Sequence, residues 1–143
     1  MRISRHDLYM AFARLVAQRS TCLRKQIGIV AVLDGRPLAV GYVGSPPGQP
    51  HCIDKGCIIQ DGGCIRTVHA EMNLIAYCAR KGISLEGCSL YATISPCLAC
   101  AKIILSSGAR ILYYDELYRD PQGLRYLKDN PTMISTVAWS HGD

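Results

Sequence analysis

The sequence predicts a three-layer α/β/α sandwich with a central mixed sheet of five strands. Two apolar runs of strand length stand near the amino terminus, and beyond them strand-like and helix-like segments alternate. The chain has 143 residues, of which 49% are hydrophobic, so it can bury one substantial core but is too short for two ordinary domains. We therefore expect a single domain over residues 1–143, with helices on both faces of the sheet.

The first elements are predicted to be a helix and a β-hairpin. Ser4 can cap a helix that runs to about residue 19, because apolar side chains recur there at helical spacing. Residues 27–33 and 37–43 are the two apolar runs, and the Asp-Gly-Arg sequence of residues 34–36 is a turn signal between them. The pair therefore predicts two adjacent antiparallel strands.

A connection over residues 44–66 follows, and it is rich in glycine, proline and cysteine. A loop of this length without structure of its own is unusual inside a compact domain unless something holds it in place. A bound metal would do so, and we therefore expect this segment to be a zinc-pinned loop.

Helices and strands alternate through the rest of the chain. Apolar residues at helical spacing, followed in two cases by a glycine, indicate the helices, and short apolar runs indicate the strands. The predicted order is helix 68–81, strand 90–94, helix 97–107, strand 111–114, a weaker helix 121–128 and strand 133–137.

The charge pattern limits the classes of ligand. There are 16 lysines and arginines against 11 aspartates and glutamates, and the basic residues are scattered. This balance favours a small anionic ligand such as a phosphorylated metabolite. The sequence lacks a basic stripe with interleaved aromatic residues, so we expect no polynucleotide partner. No segment approaches the ~20 apolar residues of a membrane span, and the first residues lack the apolar core of a secretion signal. We expect a cytoplasmic protein with no membrane partner.

The chain contains eight cysteines. In a cytoplasmic protein they are more typical of metal ligation, packing or catalysis than of disulfides. Cys78 and Cys88 stand in apolar periodic runs, where we expect small buried side chains.

Four side chains are candidates for catalysis: His69, Glu71, Cys97 and Cys100. Cysteines three apart on a helix share a face, and a helix amino terminus favours thiolates, so Cys97 and Cys100 can chelate a metal. His69 would be the third ligand, which leaves a fourth tetrahedral position open for water, as in catalytic zinc sites. Glu71 does not share a helix face with His69, so we expect it beside that water as a proton carrier.

The sequences His69-Ala70-Glu71 and Pro96-Cys97-Leu98-Ala99-Cys100 together resemble the His-x-Glu and Pro-Cys-x-x-Cys signature of the zinc-dependent cytidine/deoxycytidylate deaminase superfamily. Within it the chain is similar to the deoxycytidylate (dCMP) deaminases of bacteria and phages. The similarity covers the chain from about Ile3 to Val137 and includes residues 19–22, 41–45, 66–73 and 91–97.

The resemblance implies hydrolytic deamination of dCMP to dUMP and ammonia, which supplies dUMP for thymidylate synthesis. Glu71 would move protons from the water to ring N3 and to the leaving amino group, and a backbone carbonyl of Ser95 or Pro96 would accept a hydrogen bond from that group. It further implies Zn²⁺ as catalytic cofactor and a homo-oligomer, either hexamer or dimer. Some members are regulated by dCTP and dTTP, which could bring Mg²⁺ to the glycine-rich segment after Val43. For a phage protein the cytoplasm would be that of the host.

A second metal site is expected from the remaining cysteines. Four thiolates can form a closed structural zinc site. The resemblance implies such a site, since close relatives in this family carry one. Their spacing here is irregular, so free thiols remain an alternative, and His51 could replace one of the thiolates. The candidate ligands are Cys22, Cys52, Cys57 and Cys64.

Val43 departs from the family pattern. Family members usually carry asparagine there, which is expected to hydrogen-bond the sugar 3′-hydroxyl, and valine has no group to do so. Two alternatives stay open: unchanged dCMP activity, or a substrate that is a modified dCMP, another cytosine nucleotide or a nucleoside. A third alternative, from another class, is a non-enzymatic zinc-stabilised binding module, which would have no use for Glu71.

Further substrate contacts are expected beside these motifs. Thr67 could instead cap the second helix, and Asn73 could serve only the loop backbone. Arg24, Lys25, Arg119 and Arg125 are candidate phosphate partners, with a solvated surface charge as the alternative for each. The expected contacts are Val43, Gly44, Ser45, Thr67, Ala70, Asn73, Ser95 and Tyr118.

Overall fold

The computed structural model of the chain describes residues 1–139. The elements in chain order are α1 (Arg5–Ala17), β1 (Gly28–Leu33), β2 (Arg36–Tyr42), α2 (Cys52–Lys55), β3 (Ile59–Gln60), β4 (Gly63–Cys64), α3 (Ala70–Lys81), β5 (Ser89–Ile94), α4 (Leu98–Ser106), β6 (Ile111–Glu116), α5 (Gln122–Lys128) and β7 (Ser135–Ala138).

The central sheet has five strands in the order β2-β1-β5-β6-β7. β1 is antiparallel to both of its neighbours, whereas β5, β6 and β7 are parallel to one another. The sheet is therefore mixed, and the predicted fold class is confirmed. No helix among residues 1–139 is both long enough and apolar enough to cross a membrane.

Successive β1 residues point to opposite faces of the sheet and enter two separate clusters. Val30 and Val32 pack with α1, whereas Ile29 and Ala31 pack in the larger core with α3, α4 and α5. This alternation is the pattern of a strand covered on both faces, and it separates the three layers.

Two glycines bring the helices close to the sheet. A methyl group on Gly28 would lie 2.2 Å from the carbonyl oxygen of Ala13 in α1, and one on Gly41 would lie 2.3 Å from that of Ala70 in α3. No side chain fits at either position. The contact between Gly41 and Ala70 matters for function, because it fixes how close the amino end of α3 lies to the sheet.

The connection between β2 and α3 differs from the predicted loop. It contains the short helix α2 and a hairpin of β3 and β4, in which Ile59 pairs with Cys64 and Gln60 with Gly63. Its turn places Asp61 at φ 50° and Gly62 at φ 80°, the left-handed region that a two-residue hairpin turn requires. The hairpin packs little against the other helices and strands.

Candidate active site

A cavity opens where the amino ends of α3 and α4 meet the carboxyl end of β5. His69, Glu71 and Cys97 line it together with Ile94, the last residue of β5. Ligands in α/β sheets bind beyond the carboxyl ends of the parallel strands, and this cavity has that position.

Three donor atoms converge in the cavity. His69 Nδ1 lies 3.5 Å from Cys97 Sγ and 3.4 Å from Cys100 Sγ, and all three atoms lie within 4.8 Å of one another. Zinc bonds of ~2.0 Å to nitrogen and ~2.3 Å to sulfur at a tetrahedral angle separate the two donors by about 3.5 Å. The donor set therefore fits one zinc ion and leaves its fourth position to the cavity.

Two of these ligands stand at the start of a helix. α3 begins at Ala70 with His69 as its N-cap residue, and α4 begins at Leu98 with Cys97 in the same position. Neither side chain makes a capping hydrogen bond to its helix, so both are directed to the shared site. The alternative role of Thr67 as helix cap is wrong, because His69 has that position and Thr67 lines the cavity.

The two thiols of this site ionise in sequence. Hydrogen bonds from Cys100 and His69 lower the pKa of Cys97 to about 4, so Cys97 is the first to form a thiolate. The pKa of Cys100 is raised by its hydrogen bond to Cys97 and by burial, and the negative charges of Glu71 and Cys97 add to the shift. The hydrogen bond to Cys97 also raises the pKa of His69. A divalent cation among these atoms would neutralise the charges that otherwise repel one another.

Glu71 is a buried carboxyl beside this donor set. Only 5% of the residue is exposed, and it lines the cavity. Burial raises its pKa, while hydrogen bonds from its own backbone N–H and from Cys100 act in the opposite direction. Burial thus makes the protonated carboxyl easier to form than in water, which suits a group that must both take up and give back a proton.

Five of the expected substrate contacts line the cavity, and three do not. Gly44 pairs with Val68, Ser45 donates its hydroxyl hydrogen to the Pro50 carbonyl, and the side-chain oxygen of Asn73 accepts from the backbone N–H of Tyr42. These three residues lie outside the cavity lining, and their role as substrate contacts stays a prediction. The lining contacts are Val43, Thr67, Ala70, Ser95 and Tyr118.

Val43 gives the cavity an apolar wall. Its carbonyl accepts a hydrogen bond from Thr21, and its N–H donates to the carbonyl of Ile27. Because both backbone groups are engaged, only the isopropyl side chain, 6% exposed, is available to a ligand.

The rim of the cavity is positively charged. Arg24, Lys25 and Arg119 line it, and Glu71 is the one acidic residue among the described lining residues. Lys25 Nζ lies 4.7 Å from the centre of the Tyr118 ring, and the backbone N–H of Tyr118 donates to the Ser95 hydroxyl at 2.8 Å. This arrangement suits an anionic group at the rim. The fourth candidate phosphate partner, Arg125, lies outside the lining.

Gly123 in α5 is a neighbour of the site that the sequence did not single out. A methyl group there would lie 2.2 Å from the carbonyl oxygen of Pro96 and 2.6 Å from the backbone of Cys97. α5 therefore packs directly on the backbone that carries a metal ligand. A glycine inside a predicted helix was the available signal for such a close approach.

A second cysteine cluster adjoins the cavity. The sulfur atoms of Cys22, Cys52 and Cys57 lie within 4.8 Å of one another, and Cys64 Sγ lies 3.6 Å from Cys52 Sγ. Thiolates around a tetrahedral zinc ion are separated by about 3.8 Å, so the spacing of Cys22, Cys52 and Cys57 is close to that of metal ligands, and Cys64 lies at such a distance from Cys52. His51 is hydrogen-bonded to Thr21 at 3.1 Å instead.

The thiols of this cluster also differ in acidity. Although burial raises the pKa of Cys64, the backbone N–H groups of Arg66 and Ile58 lower it to about 6. Burial and the thiols of Cys57 and Cys64 raise the pKa of Cys52 to about 12. All eight cysteines are free thiols, and Cys78 and Cys88 are buried in the core, as predicted.

Comparison with known proteins bears on the first site. A family model described as the cytidine and deoxycytidylate deaminase zinc-binding region matches residues 3–116, which include all four candidate catalytic residues. ComE operon protein 2 of Bacillus subtilis is 44% identical over 118 residues, which are 82% of this chain and 62% of that protein. The chain thus spans less than two thirds of the length of this relative.

Two further relatives have names that state an activity. Deoxycytidylate deaminase of Enterobacteria phage T4 is 33% identical over 147 residues, with 76% of each chain covered. The crystal structure of dCMP deaminase from the cyanophage S-TIM5, in complex with dCMP and dUMP, superposes with a TM-score of 0.85 at 31% identity. That match covers 97% of this chain and 99% of the cyanophage protein.

Proposed function

This chain belongs to the family defined by the cytidine and deoxycytidylate deaminase zinc-binding region, and we propose that it is a zinc-dependent enzyme that hydrolyses dCMP to dUMP and ammonia. One observation carries the proposal: a buried carboxyl, Glu71, stands beside a histidine and two cysteines in a cavity with a cationic rim. A purely structural zinc site has no use for the open cavity or for the carboxyl, which argues against a non-enzymatic module.

The proposed chemistry assigns a role to each group. His69, Cys97 and Cys100 hold zinc, which supplies the Lewis acidity that makes water a competent nucleophile near neutral pH. Glu71 takes a proton from the attacking water and delivers it to ring N3, then takes the proton of the hydroxyl formed at C4 and delivers it to the departing amino group. Its raised pKa favours the protonated form that the delivery steps require.

The acceptor for the substrate amino group is proposed to be the carbonyl of Ser95. Ser95 lines the cavity, whereas the carbonyl oxygen of Pro96 faces α5 at Gly123. The geometry therefore favours Ser95 between the two candidates. This contact would align the amino group with the proton that Glu71 delivers.

A product screen tests the proposed activity. The substrates compared are dCMP, CMP, dCTP, deoxycytidine and C5-substituted dCMP. We expect the enzyme to release ammonia from dCMP, and we expect no release after zinc has been removed. Ammonia and the uracil product are measured for each. Absence of deamination from every cytosine compound in the zinc-loaded protein would refute the proposal.

The same screen applied to Val43→Asn addresses the sugar. We expect dCMP turnover in both proteins, and the ratio of kcat/KM values between substrates differing at the sugar shows whether the apolar wall selects among them. An asparagine that contacts a buried hydroxyl would improve binding of its substrate by about 1–3 kcal/mol. Identical ratios of kcat/KM between these substrates in both proteins would exclude Val43 as a specificity residue.

Replacement of Lys25 by methionine is expected to separate nucleotide from nucleoside. Loss of a charged hydrogen bond to phosphate costs about 1.5–3 kcal/mol, so kcat/KM for dCMP should fall about 10- to 100-fold while that for deoxycytidine stays unchanged. Steady-state kinetics with both substrates measure the ratio. Arg125→Met, an exposed cation outside the cavity, is the control. Equal losses for both substrates would mean that Lys25 does not contact the phosphate.

We further propose that Cys22, Cys52, Cys57 and Cys64 hold a second, structural zinc ion; the mutual closeness of the first three sulfurs and the contact of Cys64 with Cys52 support it. It would pin residues 44–66, and a zinc content near two per chain would accord with it. Four expectations remain predictions: a single domain over residues 1–143, a homo-oligomer of six or two chains, dCTP and dTTP effectors with Mg²⁺, and residence in the cytoplasm.

A further inference from the structure

The second cysteine cluster shares two of its side chains with the cavity. Cys22 and Cys64 line the cavity and belong to the cluster, whereas Cys52 and Cys57 are cluster members that do not line it. The cluster therefore forms part of the wall of the candidate active site, in addition to holding residues 44–66 in place.

The β3–β4 hairpin forms one side of that wall and is weakly held. Gly62 and Gly63 line the cavity, but the strands are two residues long and pack little on the other helices and strands. An isolated two-stranded hairpin is marginally stable in water. Cys64 in β4 contacts Cys52, and beside the hairpin the Arg66 side chain donates a hydrogen bond to the Gly56 carbonyl. The cluster is therefore one of the contacts that fix the position of the hairpin.

A second segment of the cavity lining also contacts the cluster. The backbone N–H of Arg24 donates to Cys22 Sγ at 3.4 Å, and Arg24 and Lys25 are two of the rim cations. A nucleotide with its phosphate at these cations and its sugar near the Gly62–Gly63 turn would touch both segments that the cluster joins.

We propose that metal at the Cys22–Cys52–Cys57–Cys64 cluster controls the affinity of the active site for its nucleotide, with Cys22 and Cys64 acting as positioning residues. The inference rests on the proposed function, since it takes the ligand of the cavity to be a nucleotide. Two ligands that stabilise one arrangement of the same segments strengthen each other's binding by the same factor. Nucleotide in the cavity must therefore raise the affinity of the cluster for metal.

Labelling of the wild-type protein tests this reciprocity without any substitution. The zinc-loaded chain is treated with EDTA and N-ethylmaleimide, with and without saturating dUMP, and the modification of each cysteine is followed by mass spectrometry of peptides. Cys57 is the reporter because it lies outside the cavity, where dUMP cannot shield it directly. Cys78, buried in the core, reports general stabilisation.

We expect dUMP to slow the labelling of Cys57 about tenfold, within the usual range of coupling between sites, and to leave that of Cys78 unchanged. Uridine, which lacks the phosphate, should protect much less. Unchanged labelling of Cys57, or equal protection of Cys57 and Cys78, would overturn the inference.

Kinetics of Cys57→Ser provide the second test. We expect the loss of about one zinc per chain and a rise in KM for dCMP of about tenfold with a small change in kcat, because the catalytic residues lie outside the cluster. Cys57→His, which can still bind zinc, should restore both the metal and the KM. Cys78→Ala serves as the matched control.

Loss of one zinc with an unchanged KM would refute the coupling. Failure of the proposed function would look different: the wild-type protein would not deaminate dCMP at all, whatever its zinc content, while protection of Cys57 by dUMP could still be measured.

Discussion

Replacement of Glu71 by glutamine is expected to lower kcat for dCMP by about 10²–10⁴-fold, the contribution of a well-placed general acid and base. Glutamine has nearly the same shape, but it cannot take a proton from water or deliver one to the substrate. Because burial disfavours the charged carboxylate, a neutral amide at this position should cost little stability. The loss is therefore expected in the chemical step and not in folding.

Three measurements on the glutamine variant separate chemistry from structure. Zinc content should match that of the wild type, since His69, Cys97 and Cys100 are unchanged, and the melting temperature should not fall. Glu116→Gln is a suitable control because that carboxyl is exposed and lies outside the cavity lining. A Glu71→Gln enzyme that retained more than about a tenth of the wild-type kcat would exclude Glu71 as the proton carrier.

The sequence predicted well those parts of the fold that are encoded by local patterns. Ser4 does cap α1, since its hydroxyl accepts from the Asp7 N–H, and the Asp34-Gly35 turn joins β1 to β2. Gly82 ends α3 in the left-handed conformation expected of a helix C-terminus. In each case a capping or turn residue and the adjacent periodicity agree, so no long-range information was required.

The segment over residues 44–66 could not be predicted in detail. Its hairpin strands are too short to show any alternation, and the thiols that meet beside it come from residues as far apart in sequence as Cys22 and Cys57. Likewise, Ser45 and Asn73 bond backbone groups of Pro50 and Tyr42, partners that the polarity of these side chains does not reveal. Tertiary contacts decide such roles, and residue type does not reveal them.

Gly123 presents the clearest conflict between local preference and tertiary contact. On helix propensity alone, Gly123→Ala should stabilise α5 by about 1 kcal/mol. The added methyl group would, however, lie 2.2 Å from the Pro96 carbonyl oxygen, so either α5 or the backbone of Pro96 and Cys97 must move. Overpacking of this kind costs about 1–3 kcal/mol, which outweighs the gain in propensity.

The displacement would fall on a metal ligand, so the effect on catalysis should exceed the effect on stability. A shift of ~1 Å in a positioned group can cost about 10²-fold in rate, and we expect Gly123→Ala to lower kcat by about that factor and to weaken zinc retention against EDTA. Lys128→Ala, an exposed change in the same helix, should behave as wild type. If Gly123→Ala instead raised the melting temperature with full activity and zinc content, α5 could move away freely, and the position of Cys97 would not depend on its packing. If the variant folded but lost zinc, Gly123 would be shown to position the metal site through packing, although it touches neither metal nor substrate.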